Sequence, residues 1–119
     1  MGLEIVKSVR GLLSVRVTEE LNESEVAQIK AAMLEMIRQS GRIRVLVIVE
    51  NFRGWRDGPV KGQMAKEDSE KIEKMAILSN DNWREAIVAF AKNLFHSTEI
   101  ECFTPDERER VVLWVIEGV

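Results

Sequence analysis

One cysteine, one histidine, two prolines and no tyrosine occur in this 119-residue sequence, and each scarcity removes a class of chemistry. A lone thiol, Cys102, can form no internal disulfide, and with His96 as its only partner it falls short of a zinc ligand set. A serine–histidine–acid triad has to pass through His96, yet no Gly-x-Ser-x-Gly elbow is present. Gly54, Gly58 and Gly62 follow neither dinucleotide-binding nor P-loop spacing. Their reading is loop turning. Glu50, Asp57 and Asp68 are the carboxylates that a small enzyme or a cation site could draw on, but carboxylates near loops are ordinarily solvated. No catalytic residue, metal ligand or cofactor is expected, and an enzyme is the least favoured class.

Positive charge is not in excess either. The 17 basic residues are outnumbered by 20 acidic ones, which argues against a phosphate backbone as partner, because such binding draws on a positive field. No apolar run approaches the roughly 20 residues of a membrane helix. The stretch Met1–Lys7 lacks the apolar core of a leader peptide. A cytoplasmic, soluble protein is expected.

What is present is an ordinary globular balance, 45% hydrophobic and 31% charged, sized for one domain over residues 1–119. Glu4–Val9 and Leu12–Val17 read as a hairpin about Arg10-Gly11. Asn22 caps a first helix, with Glu25 completing a capping box, and Val26, Ile29, Met33, Met36 and Ile37 form its apolar stripe. Gly41 ends it. Arg44–Val49 is a third strand whose five consecutive apolar residues, Val45–Val49, suit burial on both faces. The segment Pro59–Lys71 predicts a short, weakly anchored surface helix, and Lys74–Leu78 a fourth strand. A third helix starts near Asp81 or Asn82 and packs by Trp83, Ile87, Phe90, Ala91 and Leu94. Glu99–Phe103 is a fifth strand, and Thr104-Pro105-Asp106-Glu107 starts a last helix carrying Val111, Val112, Trp114 and Val115. The order β-β-α-β-α-β-α-β-α implies an α/β fold: a mixed, mostly parallel sheet of about five strands flanked by helices, with an antiparallel edge.

This order, with Phe52-x-Gly54 after strand three, Met75-Ala76-Ile77-Leu78 leading to Asn82-Trp83, Ile100-Glu101-Cys102-Phe103 and the terminal Val111-x-x-Trp114-Val115, resembles the SpoIIAA-like (STAS/SEC14-type) family. The resemblance spans about Val6 to Ile116. It implies one of two roles: binding a protein, as anti-sigma-factor antagonists and transporter STAS domains do, or holding a lipid or other apolar molecule, as CRAL-TRIO domains do. The family's serine switch lies at the start of the helix after strand three. Here Asn51–Gly58 contains no serine, threonine or tyrosine, so that switch is not expected.

The stretch after strand three is the expected recognition edge. Phe52, Arg53, Gly54, Trp55 and Arg56, with Met64 and Asp68 on the following helix, form the candidate binding set. Trp55 lies on no helical stripe. It either folds back over the sheet end as a plug or anchors a partner beside Arg53 and Arg56, a pairing common at interaction hot spots. As an anchor, its loss is expected to spare stability. Met33, Met36, Met64 and Met75 read as core filler, although methionine also lines adaptable apolar pockets. The expected occupant is a protein partner or a second copy of the chain; the alternative is an apolar small molecule.

Overall fold

Residues 3–7, 11–55, 64–79 and 83–116 are described by the computed structural model. Strands β1 (Leu3–Lys7), β2 (Leu12–Leu21), β3 (Ile43–Trp55), β4 (Ile72–Leu78) and β5 (Glu99–Phe103) form one five-stranded sheet in sequential order. β1 runs antiparallel to β2, and the other neighbours are parallel. The hairpin turn expected at Arg10 falls outside the described residues.

Parallel neighbours require crossovers, and right-handed crossovers between adjacent strands place their helices on one face. Helices α1 (Glu23–Ser40) and α3 (Arg84–Leu94) accordingly share a core with the inward residues of β2 to β4. Along β3, Ile43, Val45, Val47 and Val49 face this core, while Leu46 and Ile48 face the other side. There α4 (Arg108–Ile116), entered through a 3₁₀ turn at Pro105–Glu107, closes a second core with Val111, Trp114 and Val115. The apolar run of β3 is thus explained by burial on two faces.

Both capping boxes form. Glu25 N–H donates to Asn22 Oδ1 at 2.8 Å, and Asn22 N–H donates back to Glu25 Oε1 at 3.0 Å. Thr104 N–H donates to Glu107 Oε1 at 3.0 Å, a bond that holds the Glu107 carboxyl below its ordinary range. At its other end α4 is tied to the sheet by cations. Arg44 donates to the Val115 carbonyl at 2.9 Å and Lys74 to that of Trp114 at 3.2 Å, the charge sign that a helix C-terminus favours.

The expected helix over Pro59–Lys71 is realised as α2 (Lys66–Glu70), residues 59–63 lying outside the described ones. It is more firmly held than its few apolar residues predict. Ser69 is fully buried; its Oγ accepts from Ser97 N–H at 3.1 Å, and its carbonyl accepts from Thr98 Oγ1 at 3.0 Å. A polar anchor has no hydrophobic signature, so periodicity could not reveal it. Ser69→Ala leaves the Ser97 N–H without its acceptor and is expected to lower the unfolding free energy by about 1–3 kcal/mol, measured by urea denaturation.

Candidate functional site

The largest difference from the sequence expectation lies where the site was placed. β3 does not end at Val49. It continues to Trp55, and β2 continues past Val17 to Leu21, because the two overruns pair with each other: Glu19 with Phe52, Glu20 with Gly54, Leu21 with Trp55. The expected loop is the end of a bulged two-stranded ribbon. Asn51 (φ 50°) and Gly54 (φ 99°) sit at positive φ within β3, as does Glu19 (φ 60°) in β2.

These kinks reset the side-chain alternation. A strand with Val49 inward would turn Phe52 outward, yet Phe52 is buried in the α1/α3 core after the kink at Asn51. Gly54 shifts the phase again, so Trp55 also packs inward. The ring of Phe52 meets Trp55 edge-on at 5.3 Å and Trp83 edge-on at 5.5 Å. Trp55 further meets Phe90 at 5.1 Å. Of the two alternatives for Trp55, the plug is the one seen, with the ring half-buried against the core, so a loss of stability on its truncation becomes the expected result. Arg53 alone of the set is exposed on the ribbon, while Arg56 lies outside the described residues.

Met64 and Asp68 do not join them. A parallel crossover must return the chain to the sheet's starting edge. α2 therefore ends beside the start of β3, where Ile43 N–H donates to the Lys71 carbonyl at 2.9 Å. Asp68 lies at the opposite edge from Trp55. Met64 is buried in the core, its N–H bonded to the Leu94 carbonyl at 3.0 Å.

Behind the aromatic cluster is a cavity of about 70 Å³ between α1, α3 and the sheet. Val17, Leu21, Val26, Ile29, Met33, Val49, Phe52, Trp55, Ile87 and Phe90 are among its walls, which present only apolar surface. Lys30 of α1 is the one charged residue in the lining. Among the described residues it makes no ion pair, and Trp55 Nε1 is buried without a hydrogen-bond partner. Nothing in periodicity marks Lys30, which sits one residue off the apolar stripe. A second, more polar hollow of about 220 Å³ lies past the end of β4 and beside the kink in β3, between Glu50, Asn51, Leu78, Pro105 and Arg108.

The remaining reactive groups are not assembled. His96 is exposed in the turn after α3. Burial pushes the Cys102 thiol above its ordinary range, against the opposing pull of Arg84, which makes it a poor nucleophile at neutral pH. No cluster of three or more His, Cys, Asp or Glu able to hold a metal occurs among the described residues. No helix among them is long and apolar enough to cross a membrane.

The SpoIIAA-like family model matches residues 12–115. The chain belongs to the SpoIIAA-like family. Solved structures that share its fold include two described as SpoIIAA-like. One is the anti-sigma factor antagonist SpoIIAA in its unphosphorylated form, 15% identical, with a TM-score of 0.60 over 98% of this chain and 99% of that one. The other is an uncharacterized protein of the DUF3478 family from Shewanella loihica PV-4, with a SpoIIAA-like fold, 15% identical, with a TM-score of 0.57 over 95% of this chain and 91% of that one. No curated protein matches the sequence.

Proposed function

We propose that this SpoIIAA-like protein is a non-enzymatic regulatory module that recognises a protein partner through the bulged end of β2 and β3, without a serine switch. The observation that carries this reading is the backbone of the ribbon. Two non-glycine residues, Glu19 and Asn51, hold positive φ on adjoining strands, a cost of order 1–3 kcal/mol each that tends to persist at functional sites. The kinks present Glu19, Glu20, Asn51 and Arg53 outward while burying Phe52 beneath them. The adjoining hollow beside Glu50 and Arg108 gives the same edge a polar recess. The likeness to an anti-sigma factor antagonist, which acts in a protein-regulatory setting by its name, supports the same class.

A photo-crosslinking residue placed at Arg53 is expected to yield one covalent protein adduct of defined mass in the source cell. The same residue at exposed Gln39, near the end of α1, is expected to yield none. Equal adducts from both positions, or none from Arg53, would sink the reading.

A second reading is favoured by the cavity: the module holds an apolar small molecule between α1, α3 and the sheet, so that occupancy sets the packing of the ribbon above it. An apolar cavity gains nothing from water and leaves its walls without dispersion partners. Phe52 and Trp55 belong to both the ribbon and the cavity wall, which gives ligand and partner a shared element.

A further inference from the structure

We infer that a second copy of this chain covers the α4 face of the sheet, its own α4 lying in the strip that the first α4 leaves bare over β1 and β2. This surface is separate from the ribbon end and from the α1/α3 core, so the inference goes beyond both readings above. On one face of the sheet α1 and α3 share the covering; on the other, among the described residues, α4 stands alone. A helix with its side chains is about 10 Å across and strands stand about 4.8 Å apart. One helix therefore roofs about two strands of a five-stranded sheet.

Burial on the α4 face falls off strand by strand. The register sets Val6, Ser14, Leu46 and Ala76 in one row across β1 to β4, and Glu4, Arg16, Ile48 and Leu78 in the next. Beneath α4, Ala76 and Leu78 are 0% and 3% exposed. Leu46, Ile48 and Ser14 are half-buried, Arg16 and Glu4 are exposed, and Val6 is 52% exposed. The helix has a matching surplus. Val111 and Val115 face the sheet, and Trp114 leans over Phe103 of β5 at 5.7 Å. Successive helical residues turn by about 100°, so Val112 falls on the flank toward β2 and Leu113 points away from the sheet. They are 43% and 65% exposed. Val6, Val112 and Leu113 are the exposed large hydrophobics among the described residues, and all three lie on this side.

One two-fold arrangement buries them together. The two sheets face each other with the two α4 helices side by side between them. Leu113 of each copy then rests on the other's Val6 and Leu46, and the Val112 flanks meet. A two-fold contact needs a surface that fits itself. The charges satisfy this: exposed Glu109 and Arg110 flank Leu113, and exposed Glu4 and Arg16 flank the strip, one of each sign on each side. The ion pairs Arg16 and Arg110 make within the chain, with Glu50 and Glu107, are exposed ones. Such pairs hold little energy against a new partner.

Sedimentation velocity across the micromolar range is expected to show a species of twice the 13.6 kDa chain mass. Val6→Lys and Leu113→Lys are each expected to raise the dimer dissociation constant at least tenfold. Both positions are exposed, and a lysine one turn after Glu109 makes a favourable helix pair, so circular dichroism is expected to stay unchanged. Ala31→Lys, on the exposed side of α1, is expected to leave the dimer intact. Mixed copies carrying Val6→Cys or Leu113→Cys, each with Cys102→Ser, are expected to join one of each kind on air oxidation. A monomer at every concentration, or a dimer indifferent to both lysine variants, overturns the proposal. Leu113→Cys copies that join each other instead of the Val6→Cys copies overturn the seat of α4 on the bare strip. The adduct expected from Arg53 at the ribbon depends on none of these outcomes.

Discussion

Replacing Phe52 by alanine is expected to lower the unfolding free energy by about 3–5 kcal/mol, the range for removing a buried aromatic ring. The side chain is 8% exposed and stands edge-on to both Trp55 and Trp83, so its removal costs two ring contacts as well as buried area. Its neighbour provides the contrast. Arg53 is exposed on the same ribbon, and Arg53→Ala is expected to stay within about 0.5 kcal/mol of the unmodified protein, as surface changes usually do. Urea denaturation of both variants checks the pair. Similar, small losses at the two positions would mean that the kink at Asn51 does not turn Phe52 inward. The ring is also part of the cavity wall, so a destabilised Phe52→Ala protein that gains stability with benzene would tie the ribbon to the cavity directly, since a ligand bound only by the folded state stabilises it.

Wherever a residue's role was local, the amino-acid order carried it. Asn22 and Glu25 cap α1 by each bonding its side chain to the other's backbone N–H, Gly41 ends it with a positive φ, and the fifth strand has the expected bounds, Glu99–Phe103. The five-stranded order follows from short crossovers between neighbouring strands. What escaped the sequence was non-local. Asn51 and Gly54 carry the ordinary signature of a loop, and only the matching overrun of β2 makes them bulges in a strand. Asp68 belongs to the helix that follows the Trp55 stretch in the chain, whereas the crossover sends α2 to the other edge. The cavity depends on how far α1 stands from α3, a distance no periodicity encodes. Ile29 and Phe90, which line it, belong to the two apolar stripes, but nothing in their spacing sets them apart from fully buried neighbours, and Lys30 beside Ile29 left no trace.

Gly54→Ala separates the two demands made on the ribbon, backbone conformation and room for the indole above it. At φ 99° a side chain is strained whatever space it has. At Gly54 there is also little space: an added Cβ would stand 3.1 Å from Cη2 of Trp83. That indole cannot easily retreat, because it is wedged against Phe52 at 5.5 Å and Trp55 at 6.3 Å. Gly41 is the internal control. It too has a positive φ, 84°, but an added Cβ there meets nothing within 4 Å. Gly41→Ala is therefore expected to cost about 1 kcal/mol from backbone strain alone, and Gly54→Ala about 2–4 kcal/mol, the excess coming from overpacking against the ring. Because the displaced ring is a tryptophan, the fluorescence of Gly54→Ala should shift in the folded state while that of Gly41→Ala does not. Equal losses in urea, with no spectral change, would mean that Trp83 does not rest on the ribbon. The ribbon would then present its outward residues without the aromatic floor that fixes their positions.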